Sequence, residues 1–292
     1  GVILISINSS ITKKEKEKQK IRLEAVHEDA KALIEEQVAN LATLTAGIGT
    51  YIKYSDTVPS SKQLQMYVNH LVDHLGYQDS LVVSFIDTSF NFVSTFTRGQ
   101  NDPANLVGTS VAQFRSEAEL NLLRGAMKNE EMIMFEPFNL VEGWPGIAMH
   151  FGVHRNDTAI GFVAPIINLE YILKGVYLKK ITDEFAFKFS TSKFHDFDRF
   201  VVHDGSPIHT DKSDPEYWKN LNIAETDFIE SPLNIYGYEL HVGTAFKNKG
   251  ANDSSIGIVL LSWFIALIVF VVIVIWQMTK SKRLSIRLSI AK

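Results

Sequence analysis

The run from Ile256 to Trp276, IGIVLLSWFIALIVFVVIVIW, carries no charged side chain over twenty-one residues. At about 1.5 Å of rise per residue, such a helix is roughly 30 Å long, the thickness of a bilayer's hydrocarbon core. A helix buried in a large soluble core is the competing reading, and the flanks argue against it. Trp276 ends the run, where an amphipathic indole suits the headgroup layer, and Lys280, Lys282, Arg283, Arg287 and Lys292 follow. Basic flanks mark the cytoplasmic side, so the residues before Ile256 are expected outside. Six Lys or Arg residues between Lys13 and Arg22 oppose that orientation, but a long translocated domain overrides such charges.

About 240 residues precede the apolar run, enough for one large domain or two small ones. With 46% hydrophobic and 21% charged residues, the chain can build a core. A net charge of −4 gives no footprint for nucleic acid. The absence of cysteine removes disulfides, thiolate metal sites and cysteine nucleophiles together. It also fits a bacterial periplasm better than a eukaryotic secretory route. The sequons at Asn8, Asn156 and Asn252 therefore carry little weight. The opening GVILISI is expected to be the tail of a first membrane helix (1–11), and a cytoplasmic output module is expected beyond Lys292.

Apolar residues at Leu23, Val26, Ala30, Leu33, Ile34, Val38, Leu41, Leu44, Ile48 and Ile52 recur in steps of three and four. They predict one long helix from Thr12 to about Tyr54 with a single buried side, loosened in its last turn by Gly47 and Gly49. A second helix is expected from Ser61 to Leu75. His70 and His74 lie four apart on it, but no third metal ligand accompanies them.

From Ser80 the period becomes that of strands. LVVSFID and FNFVSTFTRG form a hairpin, a helix follows over about Ser116–Lys128, and three strands come next. These are MIMFEPFNL, GIAMHFGVH and AIGFVAPI, the last two joined at Asn156-Asp157. Leu169–Lys180 reads as a linking helix or strand and Phe185–Phe189 as a strand. A hairpin turns at Asp204-Gly205, a short helix covers Pro215–Leu221, and a final hairpin turns at Tyr236-Gly237. The expected fold is α+β: a long N-terminal helix, two tandem PAS-like antiparallel sheets, then a transmembrane helix. Its parts are the two helices (12–76), a membrane-distal module (77–172), a membrane-proximal module (173–252), the membrane span (256–276) and a juxtamembrane segment (277–292).

A sheet covered by helices places a pocket between sheet and cover, apolar with a few orienting polar groups. The candidates on the first hairpin and the meander are Phe85, Asp87, Thr95, Phe135, Phe138, Trp144, Met149, Phe151 and Phe162. Alternation puts Met149 and Phe151 on one face, His150 and Gly152 on the other, and leaves open which face is the pocket. Most aromatic and Met side chains on strands are core. Trp144, in a Gly-Pro turn, has no packing reason to be there. No GxSxG elbow, P-loop or zincin motif occurs. Asp183-Glu184, His195 with Asp196 and Asp198, and His203 with His209 are ordinary for so charged a surface. No catalytic residue, metal or cofactor is assigned.

The stretch from Asn105 to Ile172 resembles the CHASE family of extracytoplasmic sensors. It pairs Asn105 and Gly108 before a helix with Ala126 near its end, then a strand into the GWPG turn and a strand ending in small residues. The double Cache sensors share the topology. LSIAK near the C-terminus is similar to the juxtamembrane helix of bacterial hybrid histidine kinases. The resemblance implies the input half of a transmembrane receptor, a sensor histidine kinase, in a bacterial inner membrane with its sensor domain periplasmic or extracellular. The implied partners are a small-molecule ligand, the lipid bilayer and a second copy of the chain. The alternative is a membrane-anchored binding or scaffold protein without an output enzyme.

Overall fold

The computed structural model describes residues 2–75, 81–140, 145–178, 184–191, 199–203, 206–210, 223–247 and 253–290. The chain forms two compact units, Gly1–Lys247 and Asn248–Lys292. The first is the α+β body that the periodicities predict.

Helix α1 spans Val2–Tyr54, ten residues earlier than its expected start. The polar run Ser6–Thr12 costs the helix only tenths of a kcal/mol per residue, about 0.7 at most, and does not stop it. Ala30, Ile34, Val38, Leu41, Thr45, Ile48 and Ile52 are all buried, so the stripe read from the sequence is the core side. Gly49 does not loosen the last turn. A Cβ there would lie 2.7 Å from Cδ1 of Phe151, so the glycine lets helix and sheet meet. Helix α2 (Ser61–Leu75) lies beside it, with the Tyr67 ring stacked on Tyr51 at 4.2 Å and its hydroxyl donating to Gly47 O at 3.2 Å.

The first sheet comprises β1 (Leu81–Ile86), β2 (Phe92–Phe96), β3 (Met132–Met134), β4 (Phe138–Asn139), β5 (Pro145–Arg155) and β6 (Thr158–Asn168). Its order is β2-β1-β6-β5-β3, with β4 also on β5, and every pairing is antiparallel. The single strand expected over MIMFEPFNL is two, β3 and β4, interrupted around Pro137, which has no N–H for a ladder. Between β2 and β3 come a 3-10 turn at Val111–Gln113 and helix α3 (Glu117–Asn129). Helix α4 (Leu169–Leu178) leads to the second sheet. That sheet holds β7 (Phe185–Thr191), β8 (Arg199–His203), β9 (Ser206–Thr210), β10 (Ile229–Ile235) and β11 (Tyr238–Phe246), in the order β10-β11-β7-β8-β9. Asn156-Asp157 and Tyr236-Gly237 have positive φ at both positions (48° and 60°, 48° and 79°), as type I′ hairpin turns require.

Both sheets pack on α1, β5 and β6 toward its C-terminal end and β10 and β11 toward its N-terminal part, around one continuous core. His27 ties the helix to the second sheet. Its Nδ1 is 3.0 Å from Thr244 Oγ1 and its Nε2 2.7 Å from Ser231 Oγ. The sheets also touch directly, Met134 N donating to Tyr236 O at 3.0 Å.

In the second unit, helix α5 spans Asp253–Ile290. Ser262–Lys280 has a mean hydropathy of 2.3 and exposed side chains, long and apolar enough to cross a membrane. It overlaps the run from Ile256 to Trp276. The Lys280 ammonium lies 5.2 Å from the Trp276 ring centre. The Asp204-Gly205 turn, the helix expected at Pro215–Leu221, and Asp183, His195, Asp196 and Asp198 lie outside the described residues.

Candidate functional site

On the face of the first sheet turned away from α1 lies a cavity of about 280 Å³. Strand alternation builds its floor. Val82, Ser84 and Ile86 of β1, Thr95 of β2, Ala164 and Ile166 of β6, and Ala148 and His150 of β5 all point to it. The register sets Ser84 opposite both Thr95 and Ala164, and the Ser84 hydroxyl donates to Thr95 Oγ1 at 3.1 Å. Small side chains at Ala148 and Ala164 leave the space that larger ones would fill. The roof comes from the segment between β2 and α3, through Leu106, Phe114 and Arg115, and from Phe138 and Leu140 beyond β3.

Arg115 is fixed by local sequence. It immediately precedes α3, whose N-cap Ser116 and third residue Glu119 form a reciprocal capping box. One Glu119 oxygen accepts from Ser116 N and Oγ, both at 2.8 Å, and the other from Arg115 Nη1 at 3.1 Å. The guanidinium carbon lies 4.8 Å from the ring centres of both Phe135 and Phe138, and the side chain is 11% exposed. Burial draws the Arg115 guanidinium down from its ordinary value while Glu119 opposes the shift. A guanidinium remains charged under such conditions. Burial pushes Glu119 up, but its bonds to Ser116 and the charge of Arg115 outweigh that and hold it low.

His150 is 4% exposed, and its Nδ1 has no hydrogen-bond partner among the described residues. Its ring meets Phe135 at 5.0 Å and Phe162 at 5.6 Å. Burial first and the Arg115 charge second hold it well below the ordinary histidine value, so it is neutral near pH 7. The cavity is thus an apolar chamber with one fixed positive charge, one unsatisfied imidazole and a hydroxyl pair.

The nine sequence candidates divide over both faces. Thr95 and Phe138 line the cavity. Phe135 and Phe162 flank His150 in the cluster beneath α3. Phe85 and Met149 are buried toward α1, and Phe151 packs there too. Asp87 holds the β1–β2 turn, its Oδ1 accepting from Ser89 N and Asn91 N at 2.9 Å. Trp144 lies outside the described residues. Sequence reasoning passed over Arg115, Ser84 and His150. The signal for Arg115 was its place before a Ser-x-x-Glu box, which fixes the following helix and hence the arginine. His70 and His74 face each other at 4.8 Å, and no group of three or more His, Asp or Glu side chains placed for a metal occurs among the described residues.

No protein-family model matches the chain, and no curated protein matches it. Solved structures do match. An extracellular ligand-binding receptor from Desulfohalobium retbaense superimposes with a TM-score of 0.52 over 76% of this chain at 10% identity, and the chain spans 40% of that protein's length. The ligand-binding domain of Pseudomonas fluorescens chemoreceptor CtaA, in complex with L-serine, gives 0.51 at 12% identity over 80% of this chain and 98% of its own. That of Pseudomonas aeruginosa chemoreceptor PctB, in complex with L-Arg, gives 0.51 at 11% identity over 80% and 97%. At such identities the likeness is one of fold: this chain has the fold of bacterial chemoreceptor ligand-binding domains.

Proposed function

We propose that this chain is the extracytoplasmic sensing region of a bacterial transmembrane receptor of the CHASE or double Cache type. The first-sheet cavity is its small-molecule site, with Thr95, Phe138, Arg115 and His150 as contacts and Phe135 and Phe162 as their support. The observation that carries the reading is the buried Arg115 guanidinium beside His150, whose Nδ1 has no partner among the described residues, in a largely apolar chamber. Two neighbours of the same fold hold amino acids, which supports a small molecule as ligand. The apolar span of α5 with its basic flank supports a place in the inner membrane, sensor domain outside. A histidine kinase is the proposed output, and Ser262–Lys280 the part that meets lipid.

The test is a thermal-shift screen of the chain in detergent micelles against metabolites, amino acids, organic acids and adenine derivatives. A ligand at one hundred times its Kd should add about 2.7 kcal/mol of stability, and Ala164→Phe, which fills the chamber, should abolish the gain. No shift from any class would move the reading to a membrane-anchored scaffold. The homodimer is proposed along α1, where exposed Ala25, Ala32 and Ala39 recur every seven residues and admit close helix approach. The chain lacks cysteine, so Ala32→Cys introduces a unique thiol. Disulfide-linked dimers in membranes are expected, and Lys20→Cys, exposed and roughly 100–140° around the helix from these alanines, serves as control.

A further inference from the structure

We infer that the ligand of this cavity is a small apolar monocarboxylate without an α-ammonium group. The inference rests on the ligand-site reading above and concerns only what the site selects. Arg115 presents five N–H donors on a planar fork. One bonds Glu119, and the others have no protein acceptor among the described residues. The guanidinium is held on one side by a carboxylate already committed to Ser116, so a second carboxylate completes its coordination rather than competing for it. His150 adds a neutral imidazole, which has one N–H to give, and the Thr95 hydroxyl keeps its proton after accepting from Ser84. With Arg115 these are groups that can donate to an anion.

Nothing on the described walls answers a cation. None of the described lining residues is acidic, and Glu119, the carboxylate that holds Arg115, is committed to it and to Ser116. The β1 carbonyls of the floor are taken up in the β1–β2 and β1–β6 ladders. An α-ammonium would be desolvated beside a guanidinium, unpaired, which is costly in a buried site. The rest of the chamber is Val82, Ile86, Leu106, Phe138, Leu140 and Ile166, which calls for an aliphatic or aromatic body. The volume of 280 Å³ equals about nine waters at roughly 30 Å³ each, so the ligand has on the order of ten non-hydrogen atoms.

The experiment uses the 292-residue chain in nanodiscs and titration calorimetry with matched probes. Hexanoate, phenylacetate and 3-phenylpropionate are set against norleucine, phenylglycine and phenylalanine, which add an ammonium, and against hexanamide, 2-phenylacetamide and 3-phenylpropanamide, which remove the charge. The acids are expected to bind at least about tenfold more tightly than either counterpart, the scale of one charge-assisted hydrogen bond. Arg115→Met should weaken acid binding about 10- to 100-fold, with Arg115→Lys recovering part of it. Should Arg115→Met fail to fold, the acid–amide comparison on the unmodified chain decides. An amino acid binding as tightly as its acid, or an amide doing so, overturns the inference. If a non-carboxylate from the broader screen binds and Ala164→Phe abolishes it, the sensor reading stands and the carboxylate assignment falls. If no probe of any class binds at millimolar concentration, both fall.

Discussion

Replacing His27 by leucine tests how α1 is locked to the second sheet. The imidazole is 2% exposed and bonds Thr244 Oγ1 at 3.0 Å and Ser231 Oγ at 2.7 Å. Losing two neutral hydrogen bonds costs about 1 kcal/mol each. Thr244, fully buried, is then stranded for about 1–2 kcal/mol more, whereas half-buried Ser231 can reach water. The apolar leucine returns about 1 kcal/mol of burial, so the net loss near neutral pH is about 2–3 kcal/mol. Burial holds the His27 pKa below its ordinary 6.5, partly countered by Glu28. The sign follows: below pH 6.5 the unfolded chain takes up a proton that the folded one refuses, so stability falls with pH. The fall is at most about 1.4 kcal/mol per pH unit and ends at the folded pKa. Leucine removes this slope, while His150, shifted in the same direction, keeps its own in both proteins. The gap between wild type and His27→Leu should therefore be narrower at pH 5.5 than at pH 7.5. Pulse proteolysis in urea, on the chain in nonionic detergent, measures both gaps. A gap under about 0.5 kcal/mol at pH 7.5, or one unchanged at pH 5.5, would refute the reasoning.

Three further substitutions probe the scaffold of the cavity. Gly161 has φ of 146°, and a Cβ there would lie 2.2 Å from Ile86 O. Gly161→Ala should therefore force β6 from β1 and cost about 3 kcal/mol or more, read as a lowered urea midpoint. Gly125 sits within α3, and a Cβ added there would meet nothing within 4 Å beyond its own helical turns. Gly125→Ala should therefore gain about 0.5–1 kcal/mol by the same assay. Ser116→Ala removes the cap of α3 and should cost about 1 kcal/mol. It should also weaken ligand binding, because Glu119 then orients Arg115 less firmly.

The helices and turns were legible because their signals are local. The stripe on α1 and the two positive-φ hairpins are read from spacing and residue type alone. The side of the sheet that holds the cavity was not legible, for a definite reason. Both faces of β5 are buried, Met149 under α1 and His150 under the cavity roof, so alternation gives no contrast of polarity to orient it. Arg115 escaped notice for a different reason. It lies 35 residues before His150 in the sequence, and only the antiparallel meander brings α3's first turn over β5. The division of the MIMFEPFNL strand was available in Pro137, whose missing N–H rules out an unbroken ladder.

A cavity becomes a sensor only if its occupant binds two arrangements of the protein unequally. The floor is a poor place for that difference, since Ser84 and Ala164 sit in the unbroken β1–β6 register that runs from Leu81 opposite Ile167 to Ile86 opposite Phe162. The wall is different. Phe138 and Leu140 belong to the segment after β3, which joins the sheet through the two-residue strand β4, and the strand residue before that segment, Met134, donates to Tyr236 O in the second sheet. Tyr238, two residues on, has a buried hydroxyl with no partner among the described residues and a pKa raised by burial and by Glu136 of the same segment. Movement of the wall thus reaches the β10–β11 hairpin within four residues of chain, and that hairpin is what His27 fastens to α1. Arg115 touches Phe135 and Phe138, on either side of Pro137. On the proposed reading, a ligand held by Arg115 would act on the wall and not on the floor, the side from which a difference in affinity can be passed on.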